Sequence, residues 1–90
     1  MYRVETTPHF DDDLRRLDRA TAERIIEVLE WLAYHPEVLR FPLRHLPRDL
    51  KGLHKYRVGD YRVLLWIDRE QEVLTLYAVA HRRFVYRGLR

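Results

Sequence analysis

The pair Gly59-Asp60 constrains this chain more than any other feature, because it interrupts a β-prone run that extends from about Leu53 to Asp68. A two-residue connection of this kind favours a II′ or I′ turn and fixes the register of the hairpin around it. With Val58 and Tyr61 flanking the turn, Arg57 lies opposite Arg62 and Lys55 opposite Leu64. Side chains alternate faces along a strand, so Lys55, Arg57 and Arg62 share one face. Like charges placed opposite one another destabilise a sheet, and an anionic ligand would neutralise them. The competing reading is a solvated face whose arginine stems cover apolar surface.

The rest of the chain supplies the partners of that hairpin. Tyr2–Thr6 alternates and reads as a short strand. Thr7 can cap a first helix that begins at Pro8, and Phe10, Leu14 and Leu17 follow at helical spacing. Asp11, Asp12 and Asp13 suit the positive end of that helix and fan outward, so a metal role is not needed to explain them. A second helix is predicted from about Thr21 to His35, with Ile25, Leu29 and Leu32 on one stripe and Pro36 as its stop. Pro36, Pro42 and Pro47 make the next stretch a connector, which Val38, Leu39, Phe41, Leu43 and Leu46 should anchor. Strands at about Leu53–Val58, Asp60–Asp68 and Glu72–His81 complete the order βααβββ. The expected fold is a single α+β domain, 1–90, with a helical hairpin packed on one face of a small, mostly antiparallel sheet.

Charge narrows the partner. Residues 50–90 hold nine Lys/Arg against four Asp/Glu, whereas residues 1–49 hold eight against ten. A basic half of this kind points to a polyanion such as nucleic acid, or to an acidic protein segment. There is no cysteine, no apolar run near the ~20 residues a membrane span needs, and no signal-peptide layout at Met1–Phe10. A cytoplasmic, soluble protein with no membrane partner is expected.

The same inventory limits the chemistry. His9, His35, His45, His54 and His81 show no metal-ligand spacing, the three glycines form no phosphate loop, and the chain has no serine to act as nucleophile. No cofactor or metal is expected. Acid–base and electrostatic catalysis by His, Tyr, Lys and Arg remains. RNA suits it, because its 2′-OH can attack the adjacent phosphate without a metal. His81 and Tyr86 are proton-transfer candidates at the end of the last strand, and Arg82, Arg83 and Arg87 could stabilise charge beside them. The bland alternatives are a surface histidine, a tyrosine packed at the sheet edge and arginines that serve solubility.

The combination KYRVGDYRVLLWI with AHRRFVYR, preceded by TPHFDDDLRRLD and LPRDLKGL, resembles the RelE/ParE superfamily of toxins from type II toxin–antitoxin systems. The resemblance covers nearly the whole chain. It implies two N-terminal helices on a small, mostly antiparallel sheet. For the RelE-like branch it implies metal-independent cleavage of mRNA in the ribosomal A site, and a small cognate antitoxin as partner. Residue by residue, Arg62 matches the arginine at the scissile phosphate, Lys55 a basic residue of the preceding strand, Arg82 the arginine after the last strand, Tyr86 the C-terminal tyrosine, and His81 a position often His or Lys. Lys51, Arg57, Arg83 and Arg87 would bind RNA or ribosomal backbone. The pattern departs from RelE upstream of Lys55, where a second lysine is replaced by Leu53 or His54, and in the shorter spacing from Arg82 to Tyr86. The general base is therefore open among Lys55, His54 and His81. ParE-like relatives share the fold and poison DNA gyrase, which is the alternative activity, beside an inactive RNA- or antitoxin-binding relative.

Overall fold

The computed structural model describes residues 1–85 and 87. Strand β1 (Arg3–Thr6) leads into helix α1 (Pro8–Arg15) and helix α2 (Arg19–Tyr34); two single 3-10 turns (Pro36–Val38 and Arg48–Leu50) punctuate the connector; strands β2 (His54–Val58), β3 (Tyr61–Asp68) and β4 (Val73–His81) follow. The sheet order is β1-β4-β3-β2, with β1 parallel to β4 and the other pairs antiparallel. The α+β class and mostly antiparallel sheet agree with the sequence reading.

Local chemistry sets the boundaries. Thr7 Oγ1 accepts from the Phe10 amide at 3.2 Å, so α1 is capped where the sequence places the cap. The same hydroxyl donates to the Leu76 carbonyl at 2.9 Å and so ties the helix start to β4. Helix α2 starts two residues earlier than expected, because Asp18 caps it: the Asp18 carboxylate accepts from the Thr21 amide and hydroxyl. Those bonds, the hydroxyl one first, hold the Asp18 carboxyl below its ordinary range. In the β2–β3 turn Gly59 has φ +60°, the left-handed first position of a II′ turn, and the chain crosses from Val58 to Tyr61 in the anticipated register.

Two cores form, one on each face of the sheet. On the helix side Phe10, Ile25, Leu29 and Leu32 pack on Val58, Val63, Leu65, Leu74, Leu76 and Val79. On the other side Leu50, Leu53, Leu64, Ala78 and Val85 are buried, with Leu43, Leu46 and Trp66 packed against them. The connector therefore returns across the sheet and covers part of the face that would otherwise be solvated. Leu39, Leu43 and Leu46 serve as its anchors, whereas Val38 and Phe41 are exposed, Phe41 to 85%. Covering both faces explains why Val63, Leu64 and Leu65 are buried in succession and strict alternation is lost.

Strand β4 carries one irregularity with a structural cause. Leu64 pairs with Ala78 but Leu65 pairs with Leu76, which leaves Tyr77 as the extra residue of a bulge. Beyond Leu76, β1 has ended, and α1 takes its place at the edge of β4. Asp13 Oδ2 accepts from the Val79 amide at 3.1 Å, so a helix carboxylate closes a backbone donor that no strand reaches.

Candidate functional site

The hairpin turn gathers the arginines. Arg57 and Arg62 face one another across β2 and β3, and Lys55 faces Leu64. These three lie on the connector side of the sheet, since Tyr56, Val58 and Val63 turn to the helix-side core. Arg57 Nε and Arg62 Nη1 both donate to the Gly59 carbonyl, at 3.4 and 3.1 Å, and Arg62 Nη1 also reaches the Tyr61 carbonyl at 2.9 Å. Neither guanidinium is in an ion pair with any described carboxylate. The Arg82 amide donates to the Asp60 carbonyl at 2.7 Å, and Arg82 Nε lies 3.8 Å from an Asp60 carboxylate oxygen. Arg57, Arg62 and Arg82 thus converge on a two-residue turn whose acceptors are mainly backbone carbonyls. Because the Arg82–Asp60 pair is exposed and long, it holds Arg82 only loosely.

Beside this cluster the sheet floor is low. Arg62 pairs across the strands with Ala80, and Lys55 with Leu64, whose next neighbour on β4 is Ala78. Leu64, Ala78 and Ala80 floor a depression of about 110 Å³ that His9, Asp13, Tyr77, Phe84 and Val85 complete. Two small side chains next to Arg62 and Lys55 leave room for a group seated against the cations.

The remaining sequence-derived residues occupy different positions. His81 pairs with Tyr61 and stacks edge-on against its ring at 5.5 Å, which places it across the sheet from Lys55, Arg57 and Arg62. Its Nδ1 accepts from the Arg83 amide at 3.2 Å, so the neutral ring carries its proton on Nε2. Arg83 is exposed, and the Arg87 guanidinium lies 5.0 Å from the Phe84 ring centre. Lys51 is exposed just before β2, its carbonyl accepting from Trp66 Nε1 at 3.0 Å. Tyr86 lies outside the described residues. His54, open as a base at the sequence level, is only 6% exposed on the helix side of β2. Burial, aided by the Arg69 charge, pushes its pKa down and keeps the ring neutral away from the arginines.

Two residues join the site region without a sequence signal. Arg24 of α2 lines, with Thr21 and Arg57, a depression of about 300 Å³ beside the turn. His9 of α1 stacks on Tyr77 at 4.9 Å and pairs through Nδ1 with Asp13 at 3.2 Å. Helical spacing does give the His9–Asp13 pair, but only the ending of β1 brings α1 to the edge of β4.

Comparison with known proteins agrees with this architecture. The family model described as "ParE toxin of type II toxin-antitoxin system, parDE" matches residues 4–86. A curated relative, Toxin RelE of Mycobacterium tuberculosis (strain ATCC 25618 / H37Rv), is 38% identical over 87 residues, 96% of this chain and 87% of that protein. Among solved structures, the toxin–antitoxin complex RelBE2 of M. tuberculosis superposes with a TM-score of 0.76 at 32% identity, covering 90% of this chain and 98% of that one. The archaeal RelE–RelB complex of Pyrococcus horikoshii OT3 gives a TM-score of 0.71 at 25% identity, covering 90% and 94%. Isolated Escherichia coli RelE, at 18% identity and a TM-score of 0.72, shares the fold over 99% of this chain and 100% of its own. The chain belongs to the RelE/ParE superfamily of toxins of type II toxin–antitoxin systems.

Proposed function

We propose that this toxin is a metal-independent endoribonuclease that cuts mRNA in the ribosomal A site, in the cytoplasm. The observation that carries the reading is the meeting of Arg57, Arg62 and Arg82 at the Gly59–Asp60 turn, with two of the guanidiniums free of any carboxylate partner among the described residues. A fold gains nothing from placing Arg57 against Arg62, whereas a phosphate entering there would replace weak carbonyl contacts by charge-assisted ones.

In the reaction the RNA 2′-oxygen bonds to the adjacent phosphorus and the bond to the 5′-oxygen breaks, leaving a 2′,3′-cyclic phosphate and a 5′-OH. One proton leaves the 2′-OH and one reaches the departing oxygen. Arg62 and Arg82 stabilise the charge that builds on the phosphoryl oxygens. Lys55, on the same face as Arg62, is the acceptor we favour for the first proton. Tyr86 is the donor we favour for the second, because His81 lies on the opposite face of the sheet from Arg62. Lys51, Arg57, Arg83 and Arg87 hold the RNA backbone. The partner that restrains the toxin is a cognate antitoxin, because the RelBE2 and archaeal relatives were solved as toxin–antitoxin complexes.

The test is single-turnover cleavage of ribosome-bound mRNA by purified toxin in the presence of a chelator, with the product ends mapped. Cyclic phosphate and 5′-OH ends support the reading. A requirement for added metal, or no cleavage, removes it. A second reading, poisoning of DNA gyrase, is favoured by the ParE description of the matching family model. Toxin-dependent double-strand breaks by purified gyrase, with RNA left intact, would establish it instead.

A further inference from the structure

We infer that the connector forms a second anion groove, built from Arg44, His45, Arg48 and Lys51, that takes the phosphodiester backbone of RNA; this rests on the ribonuclease reading above. These four residues, with Leu43 and Leu46, line a depression of about 560 Å³ on the outer side of the connector. No carboxylate lines it, and among the described residues none of the Arg44, His45, Arg48 and Lys51 side chains has a hydrogen-bond or ion-pair partner. Residues 40–51 hold four Lys/Arg against the single Asp49, a local balance equal to the +3 of the whole chain.

A mobile basic loop would be an ordinary solvated surface, but this one is built. The Leu43 amide donates to the Leu53 carbonyl at 2.8 Å, the Leu50 amide to the Pro47 carbonyl at 2.9 Å, and Trp66 Nε1 to the Lys51 carbonyl at 3.0 Å. Leu43 and Leu46 pack on the second core, so the apolar side chains turn in and the cations turn out. His45 sits at φ +61°, a left-handed conformation that side chains other than glycine's seldom adopt. The backbone that carries these cations is already ordered, so binding costs only the freedom of their side chains. Lys51 and Lys55 are four residues apart, so their backbones lie at most about 14 Å from each other. RNA seated on the arginine cluster is therefore within reach of the groove.

The phosphodiester could belong to the message or to ribosomal RNA, and two arms separate them. The double variant Arg44→Gln/Arg48→Gln is compared with wild type for binding to a short single-stranded RNA and to purified small ribosomal subunits, each across about 50 to 200 mM salt. Loss of two phosphate contacts lowers the slope of log affinity against log salt by about 1.4 on single strands and about 1.8 on duplex regions. Loss in the first arm identifies the message strand, and loss in the second arm alone identifies ribosomal RNA. Arg48→Lys should retain most of the binding, and Arg3→Gln, a charge removed on the far edge strand, should leave both slopes unchanged. Wild-type slopes in the double variant, in both arms, overturn the groove and leave the ribonuclease reading intact. Absence of wild-type binding in both arms overturns both. A melting curve like that of wild type confirms that the double variant is folded, as expected for exposed side chains without bonds.

Discussion

Arg62 is half-buried and gives both its recorded bonds to carbonyls of the turn it stands on. Replacing it removes a positive charge from the proposed phosphate site and a tie to the turn. Arg62→Ala is expected to abolish RNA cleavage while costing about 1 kcal/mol of stability, the ordinary worth of such bonds. Single-turnover cleavage and a denaturation curve on the same preparation check it; a collapse of the melt would assign Arg62 to structure alone. His54 makes a different prediction. Its pKa is lowered in the fold by burial, so on acidification the unfolded chain takes up the proton first. The stability due to its neutral ring is complete above the unfolded value of about 6.5 and is lost as pH falls toward the lower folded value. Melting temperature should drop between about pH 7 and 5, and His54→Leu should flatten part of that drop; identical pH profiles would show that the His54 ring is not desolvated as described.

Among the elements, α1 has a role that helical periodicity could not announce. Of the three consecutive aspartates only Asp11 falls in its first turn, not all three as the sequence suggests, because the helix begins at Pro8; Asp13 instead reaches the Val79 amide beyond the end of β1 and pairs with His9. The strand it docks against is bulged at Tyr77, and a bulge cannot be read from alternation when both faces of a strand are apolar. Asp13→Ala leaves the Val79 donor without its acceptor and is expected to cost about 1–3 kcal/mol, measured by urea unfolding. Asp12→Ala, one residue away and exposed, should stay within about 0.5 kcal/mol, because its contact with Arg15 is on the surface. Equal losses in the two variants would deny Asp13 its structural position.

At the level of the whole molecule, the sheet is packed on two sides by unlike layers, a helical hairpin and an irregular connector. Leu53 is fully buried beneath the connector. Leu53→Ala should therefore cost about 2–5 kcal/mol, as for a core leucine, and free the connector for proteolysis. A loss below about 0.5 kcal/mol would mean that this face is solvated. On its own side of the sheet the connector leaves Arg57, Arg62 and Arg82 uncovered at the hairpin turn and carries Arg44, Arg48 and Lys51 on its outer side.

The sequence by itself determined the helix cap at Thr7, the Gly59-Asp60 turn and hence the pairing of Arg57 with Arg62, because these depend on neighbours a few residues away. It also carried the family through the motifs on β2–β3 and at the end of β4. Only the tertiary structure decided which of the titratable groups meet. His81 falls on the opposite face from Arg62 because the bulge at Tyr77 shifts the phase of β4, and His54 is buried because β2 turns that position to the helices. A one-residue change of phase exchanges the faces of a strand, and that phase is set by contacts far apart in the chain.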